Sequence, residues 1–126
     1  MVAPNDLTWQ QLQAGLAELG YVSTLAGKTV DGIYRISFDT SEITNANTIT
    51  DPGVLKFISK LLDACKVAQD RLNLDSEGKL KPAGERLDAF PPATTGVIAN
   101  GQVPTIRTVR TRSDLSSVTK ITGATA

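Results

Sequence analysis

Cys65 is the single thiol of a chain that contains no histidine, and these two facts bound the chemistry open to it. Histidine is the commonest general base, the commonest metal ligand and the usual partner of a nucleophilic Ser or Cys. Serine and cysteine triads and His-based zinc sites are therefore excluded. Cys65 falls on an apolar helical stripe, where a thiol among aliphatic side chains acts as a small, inert hydrophobe. The stretch AGKT at 26–29 imitates the end of a phosphate-binding loop. That loop needs a Gly five positions before Gly27, where Val22 stands, and a helix after it, where the residues alternate like a strand. Asp39, Glu42 and Asp51 lack the ligand spacing and central Gly of a calcium loop and read as solvated surface. Glu85 and Asp88 supply two carboxylates in an irregular segment with no convergent partner, too little for acid–base catalysis. No catalytic, cofactor-binding or metal-binding residue is assigned, and the chain is expected not to be an enzyme.

The remaining chemistry is cationic. RTVRTR at 107–112 holds Arg107, Arg110 and Arg112, enough for a few phosphate contacts but without aromatic side chains for bases to stack on. Over the whole chain 13 basic and 13 acidic residues cancel, yet they are unevenly placed. Residues 1–92 carry 9 Lys/Arg against 12 Asp/Glu, net −3; residues 93–126 carry Arg107, Arg110, Arg112 and Lys120 against Asp114, net +3. A basic tail beside an acidic body favours protein contacts over a nucleic-acid footprint. Nucleic acid is not expected as a partner, although a small regulatory or nucleic-acid binding module whose tail orders on its partner is the alternative reading.

The elements that must carry these residues are signalled locally. Thr8 and Gln11 form the pattern of a reciprocal capping box, and Trp9, Leu12, Leu16 and Leu19 share one helical stripe that Gly20 can stop, so a helix is expected at about 9–19. GIYRISFDT alternates with period two, Tyr34, Ile36 and Phe38 on one face and Ile33, Arg35 and Ser37 on the other. With a turn at Ala26-Gly27, this predicts a hairpin with strands near 22–26 and 29–39; SEITNANTIT after it reads as a third short strand or a loop. Asp51 as cap and Pro52 at the first helical position announce a second helix of about five turns. Its stripe runs Val54, Ile58, Leu61, Cys65, Ala68 and Leu72, widened by Leu55, Phe57 and Leu62. Leu87 and Phe90 are expected to pin the polar, Gly- and Pro-broken stretch that follows.

Beyond Pro92 there is no aromatic residue and Thr occurs 8 times, a composition that cannot bury enough apolar surface to fold alone. Asn100-Gly101 is the preferred two-residue hairpin turn, set between β-branched runs, and Pro104 suits a sheet edge where its missing N–H costs nothing. The segment reads as strand without a sheet of its own to join. Residues 103–126 would reach about 80 Å if extended, across a neighbouring subunit of this size. The expected fold is α+β, two helices packed on a small antiparallel sheet, with a folded body at 1–92 and an extended C-terminal arm at 93–126. Main-chain pairing of the arm with a partner's sheet edge would use Val103, Ile106, Arg107, Val109, Arg110 and Arg112.

This body-plus-arm layout, carried by residues 93–126, resembles the small virion accessory proteins of tailed phages, which decorate capsids or connect head, neck and tail. The resemblance implies a structural, multi-copy role with copies of itself or other particle subunits as partners. It implies a place in the virion, while the residues themselves imply synthesis in the cytoplasm. One Cys allows no internal disulfide, MVAPNDLTWQ has neither the charged start nor the apolar run of a signal peptide, and no stretch reaches the ~18 apolar residues of a membrane span. No membrane association is expected.

Overall fold

The computed structural model describes Pro4 and residues 6–112; Asp114, Lys120 and the rest of the arm beyond Arg112 lie outside the described residues. Helix α1 spans Trp9–Glu18, and its capping box forms as the sequence implies. The Thr8 hydroxyl accepts the Gln11 N–H at 3.1 Å, and the Gln11 side chain accepts the Thr8 N–H at 2.9 Å. Strands β1, Leu25–Val30, and β2, Ile33–Phe38, pair antiparallel from Leu25 opposite Phe38 to Val30 opposite Ile33. The turn between them is Asp31-Gly32, both residues at positive φ (53° and 76°), rather than Ala26-Gly27. Two consecutive left-handed residues give a turn whose twist matches the strands, and Asp-Gly tolerates it. Gly27 instead lies inside β1, beneath the ring of Tyr34.

SEITNANTIT forms neither of the expected structures over its first residues: Ser41–Thr44 make one helical turn, α2, ended by Asn45 at φ 59°. Helix α3 runs Val54–Leu72 and is capped by Gly53, not by Asp51. The Asp51 carboxylate is already engaged, accepting the N–H groups of Asn47 (2.9 Å) and Thr48 (3.0 Å). It closes the loop before the helix, and Pro52 lies outside the helix.

The fold is α+β. Leu12, Leu16, Leu25, Ile43 and Ala64 form the core, with Tyr21, Ile36, Phe57, Leu61 and Cys65 packed around it. Phe38 of the hairpin meets Phe57 of α3 edge to face, centroids 5.5 Å apart. Helix α1 crosses α3 at Gly15, where an added Cβ would stand 2.5 Å from the Ala64 carbonyl oxygen and 3.3 Å from the Ala68 Cβ. Three small residues thus set the spacing of the two helices. The expected stripe on α3 holds over its middle and later turns, where Ala68 is buried and Phe57, Leu61 and Cys65 pack around the core; Ala64 and Gln69 are buried beside it, while Val54, Leu55 and Ile58 are exposed at the helix start.

After α3 the chain turns through Gly78 and a 3-10 turn at Ala83–Glu85. A second hairpin then follows, β3 at Thr94–Thr95 and β4 at Thr105–Ile106, with its turn at Asn100-Gly101 (φ 53° and 74°). The turn is the expected one. The pairing is new, because the segment joins no other sheet and makes a short ladder with itself.

Candidate interaction surface

The second hairpin begins at a base built by two side-chain amides. Gln69 and Asn73 are one turn apart on α3, both buried. Gln69 Oε1 accepts the N–H groups of Ala89 (2.8 Å) and Phe90 (2.7 Å) while its Nε2 donates to the Phe90 carbonyl (2.9 Å). Asn73 does the same to Leu87, Oδ1 accepting its N–H and Nδ2 donating to its carbonyl, both at 2.8 Å. The two amides act as a strand surrogate and satisfy backbone groups that burial would otherwise leave unpaired. Leu87, expected as a pin, is buried, and Phe90 is half-buried. The returning strand closes the base from the other side, the Arg110 N–H donating to the Ala89 carbonyl at 2.7 Å.

Ion pairs complete it. Arg107 Nε donates to Asp63 Oδ1 on α3 at 2.9 Å, Arg110 Nη1 to Asp88 Oδ2 at 2.7 Å, and Arg112 stands 3.7 Å from the same Asp88 oxygen. The acidic-body, basic-tail complementarity read from the sequence is therefore present within one chain. The cations named as partner-binding residues face carboxylates of their own body.

Between the base and the turn the hairpin is a projecting finger. Residues 89–106 carry no charge and form the longest uncharged run in the sequence. The finger exposes aliphatic side chains among neutral polar ones: Val97 is 86% exposed, Val103 52% and Ile106 48%, with Ile98 and, beyond β4, Val109 also exposed, beside exposed Thr94, Thr95, Asn100, Gln102 and Thr105. Of the six arm residues proposed from the sequence, Val103 and Ile106 thus lie on the finger, Arg107 and Arg110 at its base, and Val109 and Arg112 beside the base. Gln69, Asn73 and Asp63 had no expected role in a site, and Asp88, expected to lack a convergent partner, meets Arg110 and Arg112. The signal for Gln69 and Asn73 was two amides at i, i+4 on the flank of the apolar stripe, where a polar residue needs a buried partner.

Cys65 and the AGKT stretch take structural places. Burial, with a smaller contribution from Asp6, pushes the Cys65 thiol up to about 11, so almost none is thiolate at neutral pH. Lys28 and Thr29 of AGKT face Arg35 and Tyr34 across the β1–β2 ladder, and a strand follows them instead of a helix. A cleft of about 320 Å³ between α1 and this hairpin is lined by Trp9, Gln13 and Tyr34 among others, with no Asp, Glu, Lys or Arg in its lining. Among the described residues no cluster of three or more metal-ligating side chains occurs, and no helix is long and apolar enough to cross a membrane. No protein family model matches the chain, and comparison with curated proteins and with solved structures finds no similar one.

Proposed function

We propose that this protein is a non-enzymatic structural and assembly protein that joins a multi-subunit particle through its C-terminal segment, residues 93–126. The layout resemblance points to a tailed-phage virion as that particle. The observation that carries the reading is the finger: an uncharged hairpin with exposed Val97, Ile98, Val103 and Ile106, held out from the body on a hydrogen-bonded base. Contiguous exposed aliphatics rimmed by polar residues mark interaction sites. A short two-stranded ladder is marginal in water until more strands or a packing surface are added. The Arg side chains around the base, already paired with Asp63 and Asp88, supply orientation more than free positive charge.

The test compares the full chain with a chain ending after Pro92. Circular dichroism and thermal melting should show the shorter chain folded, because all of the described core cluster precedes residue 66. Sedimentation velocity should show the full chain associating and the shorter one monomeric. A shorter chain that associates as the full chain does, or a full chain that is monomeric at every concentration, removes the support for this reading.

A further inference from the structure

The finger's hydrogen bonds decide which of its edges is available. Gly96 donates its N–H to the Pro104 carbonyl at 2.9 Å, and Ala99 and Gln102 exchange both of their backbone bonds. In an antiparallel ladder a residue's N–H and C=O point to the same side. Gln102 and Pro104 therefore face into the finger, and the intervening Val103, with Thr105 beyond, directs its backbone groups outward. The donor that Pro104 lacks is on the inner side, so the proline does not blunt the outer edge, contrary to the edge placement expected from its type. The β3 edge is different. Thr95 faces Thr105 and Ala99 faces Gln102, so three residues of the first strand (96–98) oppose two of the second (103, 104). This is a one-residue bulge, which kinks that edge away from regular pairing.

Natural sheets guard their edges with very short strands, charges, outward prolines or bulges. Both strands here are short; the β3 edge has a bulge as well, whereas the β4 edge has no bulge, outward proline or charge. We propose that the β4 edge is a homotypic docking surface, on which β4 of a second copy of this chain pairs antiparallel to join two fingers into a four-stranded sheet. The proposal rests on the assembly reading above and names its partner. Two-fold pairing sets a patch against itself, so any charge on it faces a like charge. Residues 89–106 meet that demand as the longest uncharged run in the chain, with Val103 and Thr105 at the centre of the edge. Pairing also covers Val103 and Ile106, and raises each finger from two strands to the three or more that a stable sheet needs.

Thr105 is exposed and lies at a position that makes no ladder bond within the finger, so its side chain can change while the hairpin persists. Sedimentation equilibrium of Thr105→Glu and Thr105→Lys, each alone, should show the dimer weakened at least tenfold. An equimolar mixture of the two should restore a dimer, which native mass spectrometry should identify as mixed. Thr95→Lys, on the bulged edge, should dimerise like the wild type. Unaltered association of the two Thr105 variants overturns the pairing, as does weakening that the mixture does not rescue. If truncation after Pro92 abolishes association but the mixture gives no rescue, finger-to-finger pairing falls and the assembly reading stands. Association that survives the truncation removes the assembly reading itself.

Discussion

Gln69 grips Phe90 by both ends of its amide, accepting the Phe90 N–H at 2.7 Å and donating to the Phe90 carbonyl at 2.9 Å. A helix side chain has taken the place of a neighbouring strand. This contact, repeated one turn later by Asn73 on Leu87, is what gives the finger a fixed origin.

Replacing Gln69 with Ala strands the N–H groups of Ala89 and Phe90 in a half-buried setting, where each unpaired group costs about 1–3 kcal/mol. We expect Gln69→Ala to lower the urea unfolding free energy by about 2 kcal/mol. Amide exchange at Ala89 and Phe90 should accelerate well beyond that at the centre of α3. Gln69→Glu keeps the acceptor and should preserve more of the protection.

The crossing of α1 and α3 should be intolerant of one methyl group. Alanine in place of Gly15 improves helix propensity by up to about 1 kcal/mol. Its Cβ, however, would sit 2.5 Å from the Ala64 carbonyl oxygen, and backbone on both sides must move to relieve that. Overpacking of this kind costs about 1–3 kcal/mol, so Gly15→Ala should be net destabilising and Gly15→Leu severely so. Chemical denaturation measures both.

Cys65 should label slowly with a thiol reagent in the native protein and rapidly in denaturant. Its pKa of about 11 and its half-buried place beside the core leave little thiolate and restrict access. Rapid native labelling would show that the α1–α3 contact opens readily.

Arg107 and Asp63 join the finger base to α3 with both side chains about two-thirds or more covered (27% and 32% exposed). A double-mutant cycle with Arg107→Ala and Asp63→Ala should give a coupling of about 1 kcal/mol, at the upper end for a surface pair. The coupling should shrink as salt is raised. The same cycle on Arg110 and Asp88, both about half exposed, should give less.

Glu18 and Asp51, with Asp39 shifted the same way by its hydrogen bonds from Ser41, make folding pH-dependent in a known direction. Hydrogen bonding by Arg71 holds Glu18 below its ordinary value of 4.5, and the backbone N–H of Asn47, with Thr48, holds Asp51 below 3.8. A lowered folded pKa means that the unfolded chain binds protons more readily. The contribution is thus whole above those ordinary values and is lost as pH falls through the lowered ones. Urea midpoints measured from neutral pH downward should hold level and then drop. Glu18→Gln and Asp51→Asn together should flatten the acid limb.

Local chemistry by itself determined α1, whose Thr8–Gln11 box needs only neighbouring residues, the type and approximate length of α3, and the Asn100-Gly101 turn. Each depends on atoms within about one turn of chain, so each is legible in a string of letters. Asp31-Gly32 was equally legible, but the nearby glycine at 27 competed for the turn; strand pairing decided, because it set Gly27 under Tyr34. Competition also explains Asp51, an apt helix cap by type whose carboxylate the Asn47 and Thr48 N–H groups already occupy. Tertiary structure alone decided how far along α3 the apolar stripe is covered. Periodicity marks the stripe, and Phe57, Leu61, Cys65 and Ala68 pack as it implies, but the close approach of Gly15 falls on Ala64 and Ala68, and Val54, Leu55 and Ile58 at the helix start are left in solvent. The finger's base was illegible for the same reason. Its contacts, Gln69 with Phe90 and Arg107 with Asp63, join positions 21 and 44 residues apart, and amides and charges carry no periodic mark of the partner they will meet.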